Sequence, residues 1–149
     1  MVDPYVSYCN LVWSLSQATT KLDRIYKLQK KFCRLITFSN FTAPSRPLFQ
    51  HLSILSVYDK YQLLIHVFKS SHNLIPNHYS CQYYIKNSSI HQRNTRQQNN
   101  LHIPKCRTCI RQNTIIYQGP TLWNALPDGI KSSNSLNIFK RQLRHYILL

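Results

Sequence analysis

The sequence predicts a mainly α-helical protein: a small helical domain with an irregular basic loop and at most a short strand or hairpin. Three observations predict it. Apolar residues recur at helical spacing in four segments, near 5–16, 22–39, 57–71 and 136–146, and each segment is preceded by a capping residue. Between residues 86 and 113 no period of 2 or 3.6 runs through the chain. The length, 149 residues at 43% hydrophobic, suits one compact unit with a core of its own.

Asp3-Pro4 supplies a cap and a first-turn proline, after which Tyr5, Cys9, Val12 and Trp13 repeat at helical spacing to about Ser16. A turn through Gln17 and Ala18 follows, and Thr20 with Asp23 forms an acidic variant of the capping box. Leu22, Ile25, Phe32, Cys33 and Ile36 then share one face of a helix that ends near Ser39-Asn40. Steps of about 100° per residue gather Arg24, Lys27, Lys31 and Arg34 within about 80° on the opposite face.

Pro44 and Pro47 interrupt the pattern, and Ser45 is placed to cap a short helix through Leu52. Ser56 and Asp59 repeat the cap signature ahead of Val57, Tyr61, Leu64, Ile65 and Phe68, a helix reaching about Ser71 with Asn73 or Pro76 at its end. Tyr79, Tyr83 and Tyr84 fit one more short helix after Pro76. Ile115 to Tyr117 reads as a short strand, and Gly119 and Gly129 as turn punctuation. A last helix follows a cap at Asn134 or Ser135, with Leu136, Phe139, Leu143 and Tyr146 inward and Lys140, Arg141 and Arg144 outward. The organisation is thus a helical segment 1–85, a basic polar loop 86–118, and a turn-rich segment with a C-terminal helix 119–149, together one domain without internal repeats.

Charge restricts the function. Nineteen Lys and Arg stand against 4 acids, all Asp, for a net +15. The acids (Asp3, Asp23, Asp59, Asp128) lie at least 20 residues apart, which excludes a carboxylate-cage calcium site and leaves a two-carboxylate hydrolase without neighbouring groups. A cationic surplus of this size points to an anionic partner, nucleic acid ahead of a membrane. No apolar run approaches the ~18 residues of a membrane span, and Met1 to Pro4 has no signal-peptide layout. Five cysteines, an odd number, read as reduced thiols of a cytoplasmic or nuclear protein.

Two basic sets are candidate phosphate contacts. On the helix, Arg24, Lys27, Lys31 and Arg34 have only Asp23 as a local counter-charge, where a merely solvated face carries acids at i, i+4. In the loop, Arg93, Arg96, Lys105, Arg107 and Arg111 are interleaved with Asn and Gln, a composition that orders on nucleic acid or serves as a plain linker. Residues 86–113 contain no Phe, Tyr or Trp, so the binding expected there is electrostatic and weakly sequence-specific. His102, Cys106 and Cys109, with His91 or Cys81 as a fourth group, form a weak zinc candidate, since a single Cys-x2-Cys pair without a second pair is more simply read as free thiols. No local signature marks a catalytic triad, and no cofactor is expected. The 10 tyrosines and Trp123 read as core and core-rim packing.

Five blocks carry a resemblance that spans nearly the whole chain. They are Pro4–Trp13 (PYVSYCNLVW), Leu22–Lys30 (LDRIYKLQK), Ile54–Asp59 (ILSVYD), Arg93–Arg96 (RNTR) and Tyr117–Pro127 (YQGPTLWNALP), followed by the helix containing Phe139. In order and spacing they resemble the C-terminal region of the reverse-transcriptase polyprotein of non-LTR (LINE-type, jockey-like) retrotransposons, downstream of the polymerase palm and thumb. The resemblance implies membership of an RNA-directed DNA polymerase polyprotein whose endonuclease and polymerase centres lie upstream. No Asp-Asp pair exists here to hold two metals, so the chain is expected to have no catalysis of its own. It implies a segment that holds template RNA or target DNA by phosphate contacts; the alternative is a structural appendage that only packs on the upstream reverse-transcriptase domain. Cys106 and Cys109 depart from the Cys/His knuckle that ends some related elements. The start at Met1, just before the first block, suggests a truncated copy or gene-model fragment.

Overall fold

Helices dominate because the apolar residues recur at three and four positions and, among the described residues, almost nothing pairs laterally. A computed structural model of the chain describes residues 11, 19–76, 83–91 and 93–149. Among them are α1 (Thr19–Ile36), α2 (Ser45–His51), α3 (Tyr61–Ser71), α4 (Asn87–Ile90), α5 (Cys109–Gln112), α6 (Ile115–Ala125), α7 (Asp128–Lys131) and α8 (Leu136–Leu148). Among the described residues the one strand-like feature is an isolated antiparallel bridge between Lys86 and Leu101. The mainly helical class is therefore as the sequence predicts. The helix expected at 5–16 and the short helix expected around Tyr79 fall mostly or wholly outside the described residues; Tyr83 lies in a turn and Tyr84 in irregular chain.

The chain divides into two compact units: residues 1–61 with 141–149, and residues 62–140. In the first, Leu22, Cys33, Phe49, Val57 and Leu143 are buried. The Tyr26 ring stacks on Phe49 at 6.1 Å and meets Tyr58 edge-on at 5.2 Å. Gln29 ties α1 to the segment before α3, accepting from the Val57 N–H at 2.9 Å and donating to the Leu55 carbonyl at 3.4 Å. The inward stripe of α1 is thus Leu22 and Cys33, both buried, with Tyr26 and Gln29 half-buried between them. Phe32 and Ile36, expected inward, are 40% and 44% exposed, because the stripe runs through the amide of Gln29 rather than through them.

In the second unit the core is aromatic. Phe68 stacks on Phe139 at 4.3 Å, and Trp123 lies 5.8 Å from Phe139 and 6.4 Å from Phe68. Five of the apolar residues between 63 and 68 are buried, so α3 is apolar on nearly every side, as a central helix must be. In α8, Phe139 and Leu143 are fully buried, whereas Tyr146, expected inward, is 44% exposed. Ser135 caps α8 with its hydroxyl oxygen on the Ile138 N–H at 3.3 Å.

Three helices end in the same way. Phe38, Ser53 and Asn73 have φ of 50°, 51° and 55°. At each, the next residue's N–H reaches back to the carbonyl five positions earlier: Ser39 to Arg34 at 3.1 Å, Ile54 to Phe49 at 3.0 Å, Leu74 to Lys69 at 2.8 Å. These are Schellman caps, whose left-handed residue is ordinarily glycine. Asn73 ends α3 as its sequence suggests; Asn tolerates the conformation, whereas Phe38 and Ser53 hold it at a cost of about 1–2 kcal/mol each.

Several local expectations are corrected. Thr20 lies inside α1 and Asp23 closes no capping box; its carboxylate accepts from the Tyr58 hydroxyl. Ser45 is the first residue of α2, behind Pro44, rather than its cap. Ser56 and Asp59 do bond reciprocally, with the Ser56 N–H on the Asp59 carboxylate at 2.5 Å, but they form a turn and α3 begins only at Tyr61. Burial raises the Asp59 pKa above the ordinary carboxylate value. Ile115 to Tyr117 open α6 rather than a strand, since no described strand lies beside them to pair with. Gly119 and Pro120 sit buried within α6, where packing outweighs their propensity to break a helix.

Candidate nucleic-acid interface

The basic side chains predicted as phosphate contacts fall into two sets, one in each unit. On α1, Arg24, Lys27 and Lys31 are exposed and make no hydrogen bond or ion pair among the described residues. Lys27 lies four residues from Asp23, whose carboxylate accepts from the Tyr58 hydroxyl and forms no ion pair with Lys27. That hydrogen bond also raises the Tyr58 pKa, because the phenol is held against a carboxylate. Arg34 differs from the other three. Its guanidinium donates to the Ala43 carbonyl through Nε at 3.2 Å and Nη2 at 2.9 Å, and lies 5.7 Å from the Phe41 ring centroid. It fastens the turn after α1 and is only half exposed. Lys30, which was not among the predicted contacts, lies 4.1 Å over the Tyr26 ring.

That turn presents side chains the sequence reading passed over. Phe38 is 96% exposed and Phe41 72%, and Leu35 at the end of α1 is also 72% exposed. The signal was present in the sequence: two phenylalanines stand among Thr37, Ser39, Asn40 and Thr42, where a helix terminus ordinarily carries only small polar residues.

In the second unit Arg93, Arg96, Lys105, Arg107 and Arg111 are all exposed. Arg93 and Arg96, however, lie in a closed loop and Arg111 in α5, while Lys105 and Arg107 lie in irregular chain. The Lys86–Leu101 bridge closes the loop, backed by Asn87 N–H to Asn100 O at 2.9 Å, Ser88 N–H to Gln98 O at 2.9 Å and His102 N–H to Ile85 O at 2.7 Å. Asn124 of α6 then grips Leu101 with both ends of its carboxamide, Oδ1 accepting from the N–H and Nδ2 donating to the carbonyl, each at 2.9 Å. The loop is held because Asn and Gln side chains substitute for the missing sheet partners. Arg96 lines an open cavity of about 590 Å³ with Asn87, His91, Gln97, Leu101 and Asn124, a wall that mixes amides and imidazoles with the aliphatic Leu101 and Ile103 and holds no carboxylate.

His102, Cys106 and Cys109 do not assemble a ligand set. Among the described residues no group of three or more His, Cys, Asp or Glu side chains is placed to hold a metal ion. Cys106 instead turns its thiol to the Pro104 carbonyl at 3.4 Å, and Cys33, Cys106 and Cys109 are free thiols. Burial raises the pKa of the Cys33 thiol. No described helix is long and apolar enough to cross a membrane.

No family model, no curated protein and no solved structure matches the chain.

Proposed function

We propose that this chain is a non-catalytic C-terminal region of a non-LTR retrotransposon reverse-transcriptase polyprotein, and that it holds template RNA or target DNA through phosphate contacts. One observation carries the nucleic-acid half of this reading: Arg24, Lys27 and Lys31 stand exposed on one helix, with no neutralising partner among the described residues. From Arg24 to Lys31 a helix rises about 10 Å. One strand of a B-form duplex sets about three phosphates over that axial length. The polyprotein half rests on the five sequence blocks alone. In this reading the chain acts in the cytoplasm or nucleus, beside an upstream polymerase that supplies the chemistry.

Binding would be sequence-tolerant, since lysine and arginine rows meet phosphate and carry no base readout of their own. A second reading, packing onto the upstream polymerase without touching nucleic acid, is favoured by Leu28 and Leu35, 64% and 72% exposed on the same helix. The two are separated by titrating labelled RNA and duplex DNA with the wild-type chain and with an Arg24→Ala, Lys27→Ala, Lys31→Ala variant in dilute salt. Phosphate binding predicts roughly a tenfold or larger loss in the variant, with its helical content intact. A folded wild-type chain that binds neither probe refutes the reading.

A further inference from the structure

Phe38 is both strained and exposed. It holds a left-handed backbone that selects glycine, and its ring is 96% exposed, so no burial offsets the strain. Phe41, three residues on, is 72% exposed and has the Arg34 guanidinium 5.7 Å from its centroid. The same turn ends the helix that carries Arg24, Lys27 and Lys31, and no acid lies between Asp23 and Asp59. Exposed aromatic rings beside an un-neutralised cationic track are the two parts a single-stranded nucleic-acid site requires: a face for bases and a row for phosphates. A duplex offers no unstacked base to such rings.

We propose that Phe38 and Phe41 are base-stacking residues and that the ligand of this surface is single-stranded nucleic acid. This inference rests on the phosphate-contact reading and names its substrate class. Charge decides the occupant. An apolar protein helix would find the rings and Leu35 equally attractive, but it would have to bring its own acids to the Arg24, Lys27 and Lys31 row, whereas a polyanion brings them in every nucleotide. The Arg34 guanidinium, 5.7 Å from the Phe41 centroid, favours the same occupant, since a cation beside a stacking ring adds cation–π attraction to a base.

The test compares a labelled oligo-uridine strand with a duplex of equal length, using the full chain. Phe38→Ala with Phe41→Ala is expected to weaken strand binding roughly five- to hundredfold, and to leave duplex binding and the salt dependence unchanged. Phe→Trp at both positions restores the strand affinity, whereas Phe→Leu does not. Both side chains are exposed, so folding is retained, and thermal melts verify it. Equal losses for strand and duplex, or no loss, overturn the stacking assignment while leaving the phosphate reading intact. So does sedimentation showing that the double variant dissolves a dimer, which would make a second copy the occupant. An Arg24→Ala, Lys27→Ala, Lys31→Ala variant that binds both probes as the wild type does refutes the phosphate reading instead.

Discussion

Asn124 satisfies both backbone polar groups of Leu101 with one carboxamide, each contact 2.9 Å long. A single side chain on α6 thus acts as a neighbouring strand for a loop that has none. Leu101 is 3% exposed, so its N–H and carbonyl would otherwise be buried without partners.

Asn124→Ala is expected to destabilise the chain by about 2–3 kcal/mol, because two buried backbone groups lose their partners. Denaturant unfolding measures the loss. Hydrogen exchange should locate it, with protection falling at Leu101, Asn87 and His102 before the aromatic core opens. Asn124→Asp retains the acceptor and loses the donor, so it falls between the two.

Gly119→Ala inverts an ordinary rule. In an open helix alanine is better than glycine by about 1 kcal/mol. Here a Cβ on Gly119 would lie 2.7 Å from the Tyr84 ring, whose hydroxyl burial pushes up to a pKa of about 12. Displacing that half-buried ring costs about 1–3 kcal/mol, so the substitution should destabilise on balance. In a Tyr84→Ala background the same substitution should become neutral or stabilising. Additive effects in this double-mutant cycle would contradict the contact.

Phe38→Gly should stabilise the fold by about 0.5–1 kcal/mol, the relief of the left-handed strain less the extra freedom of glycine in the unfolded chain. Ser53→Gly should do the same. The two separate in function: only Phe38→Gly is expected to lose affinity for a single strand, a stability gain at the expense of binding.

His66 gives the chain a pH dependence. Burial, with Lys69 nearby, lowers its pKa below the usual histidine value. The unfolded state takes up a proton below about pH 6.5 while the folded state resists it. The contribution is therefore complete above about pH 6.5 and is lost as pH falls through the depressed folded value. Melting temperatures measured over a pH series should fall more steeply on mild acidification for the wild type than for His66→Gln. Coincident profiles would contradict this assignment.

The helical class, the C-terminal end of α3 at Asn73, the span of α8 and the exposed Arg24, Lys27 and Lys31 on α1 are legible because each rests on local periodicity or a local cap, whereas the start of α3 at Tyr61 is not. What escaped reading depends on contacts distant in sequence. Gly119-Pro120 reads as a turn until Tyr84 and the buried neighbourhood of α6 are known. The stretch 86–113 reads as loose because its order comes from Asn124, outside the segment, and from amides that have no period. Phe32 and Tyr146 read as inward on helical spacing alone, yet the inward stripe of α1 runs through half-buried Gln29 and that of α8 stops after Leu143. Arg34 belongs to the cationic row by spacing, but its partner, the Ala43 carbonyl, lies across a turn whose geometry the sequence does not state.

The most direct test is the slope of log affinity against log salt for an RNA strand, measured on the wild type and on the Arg24→Ala, Lys27→Ala, Lys31→Ala variant. The wild type should lose affinity linearly, and the variant's slope should be shallower by about 2–3 units, a little under one for each phosphate released. Superimposable slopes from two folded proteins would remove the α1 row from the interface.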